Sequence, residues 1–146
     1  MRDTATELER ILDEAQPRLL AIDEKALETR SVEAKWSRKE ILGHLIDSAA
    51  NNHQRFVRAQ FTERLETPNY EQEGWVKSQA YATEPWPDLV NLWLLFNRHL
   101  LHVVKAMPDG VGTHELVIGG DPVAILHAVV VDYLRHMDHH LAQIFS

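Results

Sequence analysis

The sequence predicts an all-α protein, a four-helix bundle with a long crossover between its second and third helices. Three observations carry this. Four stretches repeat apolar residues at helical spacing. Glycine is scarce at six residues, and Gly110, Gly112, Gly119 and Gly120 fall in one segment, which leaves long unbroken helices elsewhere. Finally, the stretch Thr67 to Trp86 interrupts the helical pattern with prolines, a glycine and aromatics. At 146 residues the chain can bury one ordinary core, so residues 1–146 are read as a single domain.

The first helix is expected from about Thr4 to Thr29, with Leu8, Ile11, Leu12, Leu19, Leu20 and Ile22 on its apolar stripe and Pro17 bending or interrupting it. The second begins after Trp36, where Ser37 and Glu40 form a capping box, and continues to about Glu66. The segment from Thr67 to Trp86 reads as a packed crossover loop, whose Trp75, Tyr81 and Trp86 either cover the core or line a pocket. The third helix opens at or beside Pro87 and runs through about Met107, with apolar positions that include Leu89, Leu92, Trp93, Phe96, Leu100 and Val103. Pro108, Asp109 and Gly110 stop it. The ELVI stretch within Val111 to Gly120 has strand character but no evident partner, and is read as an extended loop. Asp121 then caps the fourth helix, with Pro122 in its first turn, and that helix continues to the C-terminus.

Composition narrows the chemistry. There is no cysteine, hence no disulfide, no thiolate ligand and no cysteine nucleophile; any metal is held by nitrogen and oxygen. A formal charge of −7 opposes binding to a phosphate backbone, and no basic stripe compensates for it. The N-terminus, MRDTATELER, lacks the apolar core of a signal peptide, and no apolar run is long enough to span a bilayer, so a cytoplasmic protein without membrane contact is expected.

Three of the nine histidines crowd into DYLRHMDHHLAQIF near the end of the chain. On a helix His136 and His140 stand one turn apart on one face, the way one helix gives two ligands to one ion. The alternative is a solvated helix end whose imidazoles complement the helix dipole. On the second helix Ile41, Leu42, Leu45, Ile46, Ala49, Phe56 and Val57 form the apolar side, while His44, Asp47, Ser48, Asn51 and Arg55 climb the other as a polar column. Asp47, Ser48 and Asn51 are short, unlike the lysines and glutamates that usually face bulk water, which suggests a water-containing cleft. Adding His44 to His136 and His140 gives three neutral nitrogen ligands from two helices and leaves coordination positions open. Asp47 and Asp132 lie near them on the helical wheels as candidates to orient the rings. Arg55, about three turns beyond His44, either receives an anionic group of a substrate or ties two helices by a salt bridge. His53 and His127 fall half a turn from the cluster and are expected to be packed or exposed, while His139 joins only if the site shifts around the helix.

WSRKEILGHLIDSAANNHQRF, from Trp36 to Phe56, and DYLRHMDHHLAQI, from Asp132 to Ile144, resemble the DinB-like family, which includes YfiT-type metal-dependent hydrolases and the bacillithiol- and mycothiol-dependent S-transferases. The resemblance runs the length of the chain. It implies a four-helix bundle, a divalent metal on His44, His136 and His140, and pairing of two chains into a homodimer. Zinc or nickel is expected as the ion, with iron or manganese as further candidates. It also implies activation of a low-molecular-weight thiol for S-transfer. Activated water in a hydrolase uses the same ligands, and a non-catalytic, metal-stabilised stress-response bundle is the third reading.

Overall fold

The computed structural model describes residues 1–27 and 35–146. Four long helices, α1 (Arg2–Leu20), α3 (Arg38–Arg58), α5 (Trp86–Ala106) and α6 (Leu126–Phe145), form the bundle, with α3 packed against α5 and α6, and α1 against the same two. Short helices α2 (Glu24–Leu27) and α4 (Gln72–Gln79) lie in the connections. No helix among the described residues is long and apolar enough to cross a membrane.

Local chemistry explains most of the boundaries. α1 continues through Pro17 for a further turn and ends at Leu20, short of the expected Thr29, which lies outside the described residues. Its stripe buries Leu8, Ile11, Leu12 and Leu19, whereas Leu20 is exposed, and Trp86 Nε1 donates to the Leu19 carbonyl at 2.8 Å, adding to the longer bond of 3.3 Å that this oxygen accepts from Ile22 N at the helix end. The Ser37–Glu40 capping box forms as expected at the start of α3, with Ser37 N donating to Glu40 Oε2 at 2.8 Å.

α3 stops at Arg58, one 3₁₀ turn (Ala59–Phe61) before the chain leaves helical geometry, not at Glu66. Thr62 Oγ1 donates to the Arg64 carbonyl at 3.0 Å, a local side-chain alternative to the helix ladder, and Phe61 is already exposed, so it gives a further turn no anchor; Leu65 is buried from strand geometry instead. Arg64–Thr67 instead forms strand β1, which pairs in parallel with β2 (Glu115–Ile118); the ELVI stretch therefore does have a partner. β2 also pairs antiparallel with β3 (Ala124–Ile125) around Gly119 and Gly120, both at positive φ. That hairpin keeps Asp121 and Pro122 in a turn, and α6 starts at Leu126 with Ile125 as its N-cap; the expected Asp121 cap does not form. The crossover is more ordered than a loop: Glu71 caps α4 through the Gly74 amide at 2.6 Å. Tyr81 and Trp86 are core residues, while Trp75 lies outside against the Tyr70 ring.

The core runs along one side of each helix. Leu42, Leu45, Ala49 and Phe56 of α3 meet Leu89, Trp93 and Leu100 of α5 and Leu126, Val130 and Met137 of α6, all fully or almost fully buried. What remains unusual is the opposite side of α3, which is buried too.

Candidate metal centre

His44 and Asp47 are each 1% exposed, Ser48 is 4% and Arg55 is 8%. The column is therefore no solvated face: α6 covers it along with the β1–β2 and α4 connections, and the short side chains make room for them. His44 Nε2 lies 3.0 Å from His136 Nε2, and one ring nitrogen from each of His44, His136 and His140 falls within 4.8 Å of the others. The three ring centroids are 4.5 to 5.0 Å apart. Two nitrogens each about 2.1 Å from a shared ion can sit at such a separation. Of the nine histidines these three converge. His139 is exposed beside His140, His127 is exposed against Thr4, and His53 packs on Phe96 and His99.

The electrostatics suit a cation ligand set. Burial, followed by the neighbouring His136 and His140, depresses His44 to about 3; burial and His140 depress His136 to about 4, with Asp132 pulling the other way. Burial also lowers His140, opposed by its bond to Gln143. All three are neutral at physiological pH and offer lone pairs. In addition, His44 Nδ1, His136 Nδ1 and Asp47 Oδ2 are buried without partners among the described residues, a concentration of orphaned polar atoms that marks a site rather than a packing solution.

These shifts fix the sign of a pH effect. An unfolded chain protonates its imidazoles below about pH 6.5. The folded His44 and His136 resist to about 3 and about 4, so in that interval the unfolded state binds more protons. For the metal-free protein their contribution is complete above about pH 6.5 and is lost progressively toward about pH 4. Urea midpoints followed down that range are expected to fall; a flat profile would contradict burial of the neutral rings.

The orienting groups differ from the simplest expectation. Asp47 Oδ1 accepts from Tyr81 Oη and from Gln79 Nε2, both at 2.6 Å, so it ties α3 to the crossover and bonds no imidazole. Burial raises its pKa against those two bonds. Asp132 is exposed and pairs with Arg135. The ring held directly is His140, whose Nδ1 donates to Gln143 Oε1 at 2.7 Å. Gln143 lies three residues along the same helix, a spacing legible in the sequence but not used in assigning it. Trp36 closes the far side of His44, its ring centroid 4.8 Å away.

A cavity of about 460 Å³ reaches the cluster through His136, the one member of the three in its wall, with Ser48, Asn52, Arg55, Asp132 and Tyr133 among the other lining residues. The aromatic that the crossover contributes to it is Tyr70; Trp75, Tyr81 and Trp86 do not line it.

Residues 7–144 match the sequence model of a family described as the DinB superfamily. No curated protein sequence matches the chain. Among solved structures, YfiT from Bacillus subtilis, described as a probable metal-dependent hydrolase with an unusual four-helix bundle topology, superposes with a TM-score of 0.85 at 18% identity over 98% of this chain and 82% of its own. The mycothiol-dependent maleylpyruvate isomerase superposes with a TM-score of 0.81 at 13% identity over 98% of this chain, which spans 60% of the isomerase. At these identities the likeness is one of fold.

Proposed function

The chain belongs to the DinB superfamily, and from that premise we propose that it is a divalent-metal-dependent enzyme in which His44, His136 and His140 hold the ion and a low-molecular-weight thiol is activated for S-transfer. The observation that carries this reading is the meeting of three uncharged imidazoles, one of which, His136, stands in the wall of a cavity large enough for a small molecule. Bound there, a divalent cation lowers the pKa of a coordinated thiol or water and so supplies a nucleophile at neutral pH in a chain without cysteine. Three nitrogens suit zinc or nickel first, and iron or manganese after them.

The chain's own residues do the positioning. Gln143 fixes the ring and tautomer of His140, and Trp36 keeps water from the far face of His44. Asp47, through Tyr81 and Gln79, sets the height of α3 against the crossover and so acts as a positioning residue for His44. Asp132, at the cavity edge, adds a negative potential beside His136 that favours a cation. A second reading, hydrolysis by activated water with the same ligands, draws support from the fold shared with YfiT.

The test is to supply untagged, metal-loaded protein with electrophiles in the presence and absence of a small thiol. Conversion that needs both metal and thiol is expected; conversion with metal alone favours the hydrolase, and none under either condition contradicts an enzyme. On this reading the protein works in the cytoplasm, where small thiols stay reduced, and the charge of −7 weighs against a nucleic-acid partner. Two chains are proposed to pair, with exposed Leu92 and Leu95 on α5 available to be covered; sedimentation as a monomer at working concentration would rule this out.

A further inference from the structure

Arg55 is 8% exposed, yet it has no carboxylate partner among the described residues. Among the described residues its one hydrogen bond is a long one, from Nη1 to Asn52 Oδ1 at 3.4 Å, and its Nη2 is buried without a hydrogen-bond partner. A buried cation left uncompensated is expensive, and folds keep one where something supplies the missing charge. Arg55 lines the same cavity as His136 and is the only lysine or arginine among the described residues of its wall. Resting on the metal reading above, we infer that Arg55 is the receptor for a carboxylate on the substrate, which spans the cavity with its reacting end at the three histidines.

The geometry supports a chain-like ligand. Arg55 follows His44 by eleven residues, about 16 Å along the helix. The guanidinium leans back toward Asn52, leaving on the order of 10 Å between the two ends. Charge selects the anion. Asp121 and Asp132 also line the cavity, and their repulsion disfavours a polyphosphate while tolerating a single carboxylate, which the planar guanidinium pairs through two parallel bonds. Asn52, bonded by its amide to the Ser48 carbonyl at 2.9 Å, holds the guanidinium in place before the ligand arrives.

Calorimetric titration of metal-free protein with hexanoate and with hexanol tests Arg55 without reference to the metal. Hexanoate is expected to bind at least about tenfold more tightly. Arg55→Met should erase that preference while the melting temperature stays level or rises, because an unpaired buried charge is replaced by a hydrophobe of similar length. Arg55→Lys should keep part of it. Equal binding of the two probes by wild type, or a lowered melting temperature in Arg55→Met with the preference intact, would overturn the proposal and assign Arg55 to the scaffold.

Mercaptohexanoate and mercaptoethanol on zinc-loaded protein then separate the sources of the carboxylate. A gain of mercaptohexanoate over hexanoate that requires zinc places thiol and carboxylate on one molecule. Simultaneous binding of hexanoate and mercaptoethanol places the carboxylate on the electrophile. A preference for hexanoate with no zinc-dependent gain for either thiol keeps the Arg55 assignment and sinks thiol activation instead.

Discussion

His136→Ala is expected to lose metal binding by at least about a hundredfold, and turnover with it, while the bundle stays folded. Losing a group that merely orients a ligand typically costs 10- to 100-fold, and here a ligand itself is removed. Two imidazoles on different helices then remain, one ligand short of the set. The fold survives because α6 is held by Leu126, Val130, Leu134, Met137, Leu141 and Ile144, all buried on a stripe that does not include His136. His136 is only half-buried and carries one hydrogen bond, to His44, so the metal-free variant should melt within about 1 kcal/mol of wild type. Calorimetry and metal titration on the same preparation check both halves. A variant that unfolds, or one that keeps the ion, would contradict the assignment.

Gly43→Ala is expected to destabilise the protein, against the usual direction for a helical glycine. Alanine gains about 1 kcal/mol of helix propensity. At this position, however, a Cβ would fall 2.1, 2.3 and 2.6 Å from three atoms of the buried Tyr81 ring, which cannot yield without leaving its place. Overpacking of this kind costs about 1–3 kcal/mol. Moving Tyr81 also strips the hydroxyl from Asp47 Oδ1, and a hydrogen bond to a charged group is worth about 1.5–3 kcal/mol. Less the propensity gain, the sum is a net loss of about 1.5–5 kcal/mol. In a domain of this size that lowers the melting temperature by very roughly 5–15 °C. A melting temperature at or above wild type would mean that the Tyr81 contact does not hold the crossover to α3.

The bundle was legible because its causes are local. Apolar spacing, the Ser37–Glu40 box and the proline near the start of α5 each act within one or two turns, and the structure places those elements as expected. The histidine pair was legible for the same reason, since His136 and His140 share a face by spacing alone. The errors arise where distant backbone wins. β1 pairs with a strand fifty-one residues away, Arg64 opposite Glu115, and that ladder both shortens α3 and delays α6 to Leu126. ELVI carries strand character of its own, but a parallel partner at such separation leaves no local mark of the pairing. Asp47 was read toward the imidazoles from the helical wheel; the crossover folds back and gives it Tyr81 and Gln79 instead. The burial of His44, Asp47, Ser48 and Arg55 in the polar column was foreshadowed only by the short side chains beside them.

The central claim is that three imidazoles from α3 and α6 share one divalent ion, and X-ray absorption at the zinc edge of untagged, zinc-loaded protein tests it most directly. The expected result is one ion per chain with the scattering signature of three imidazoles at about 2.0–2.1 Å, reduced in His136→Ala. No ion retained by the wild type, or an unchanged imidazole count in the variant, would contradict it.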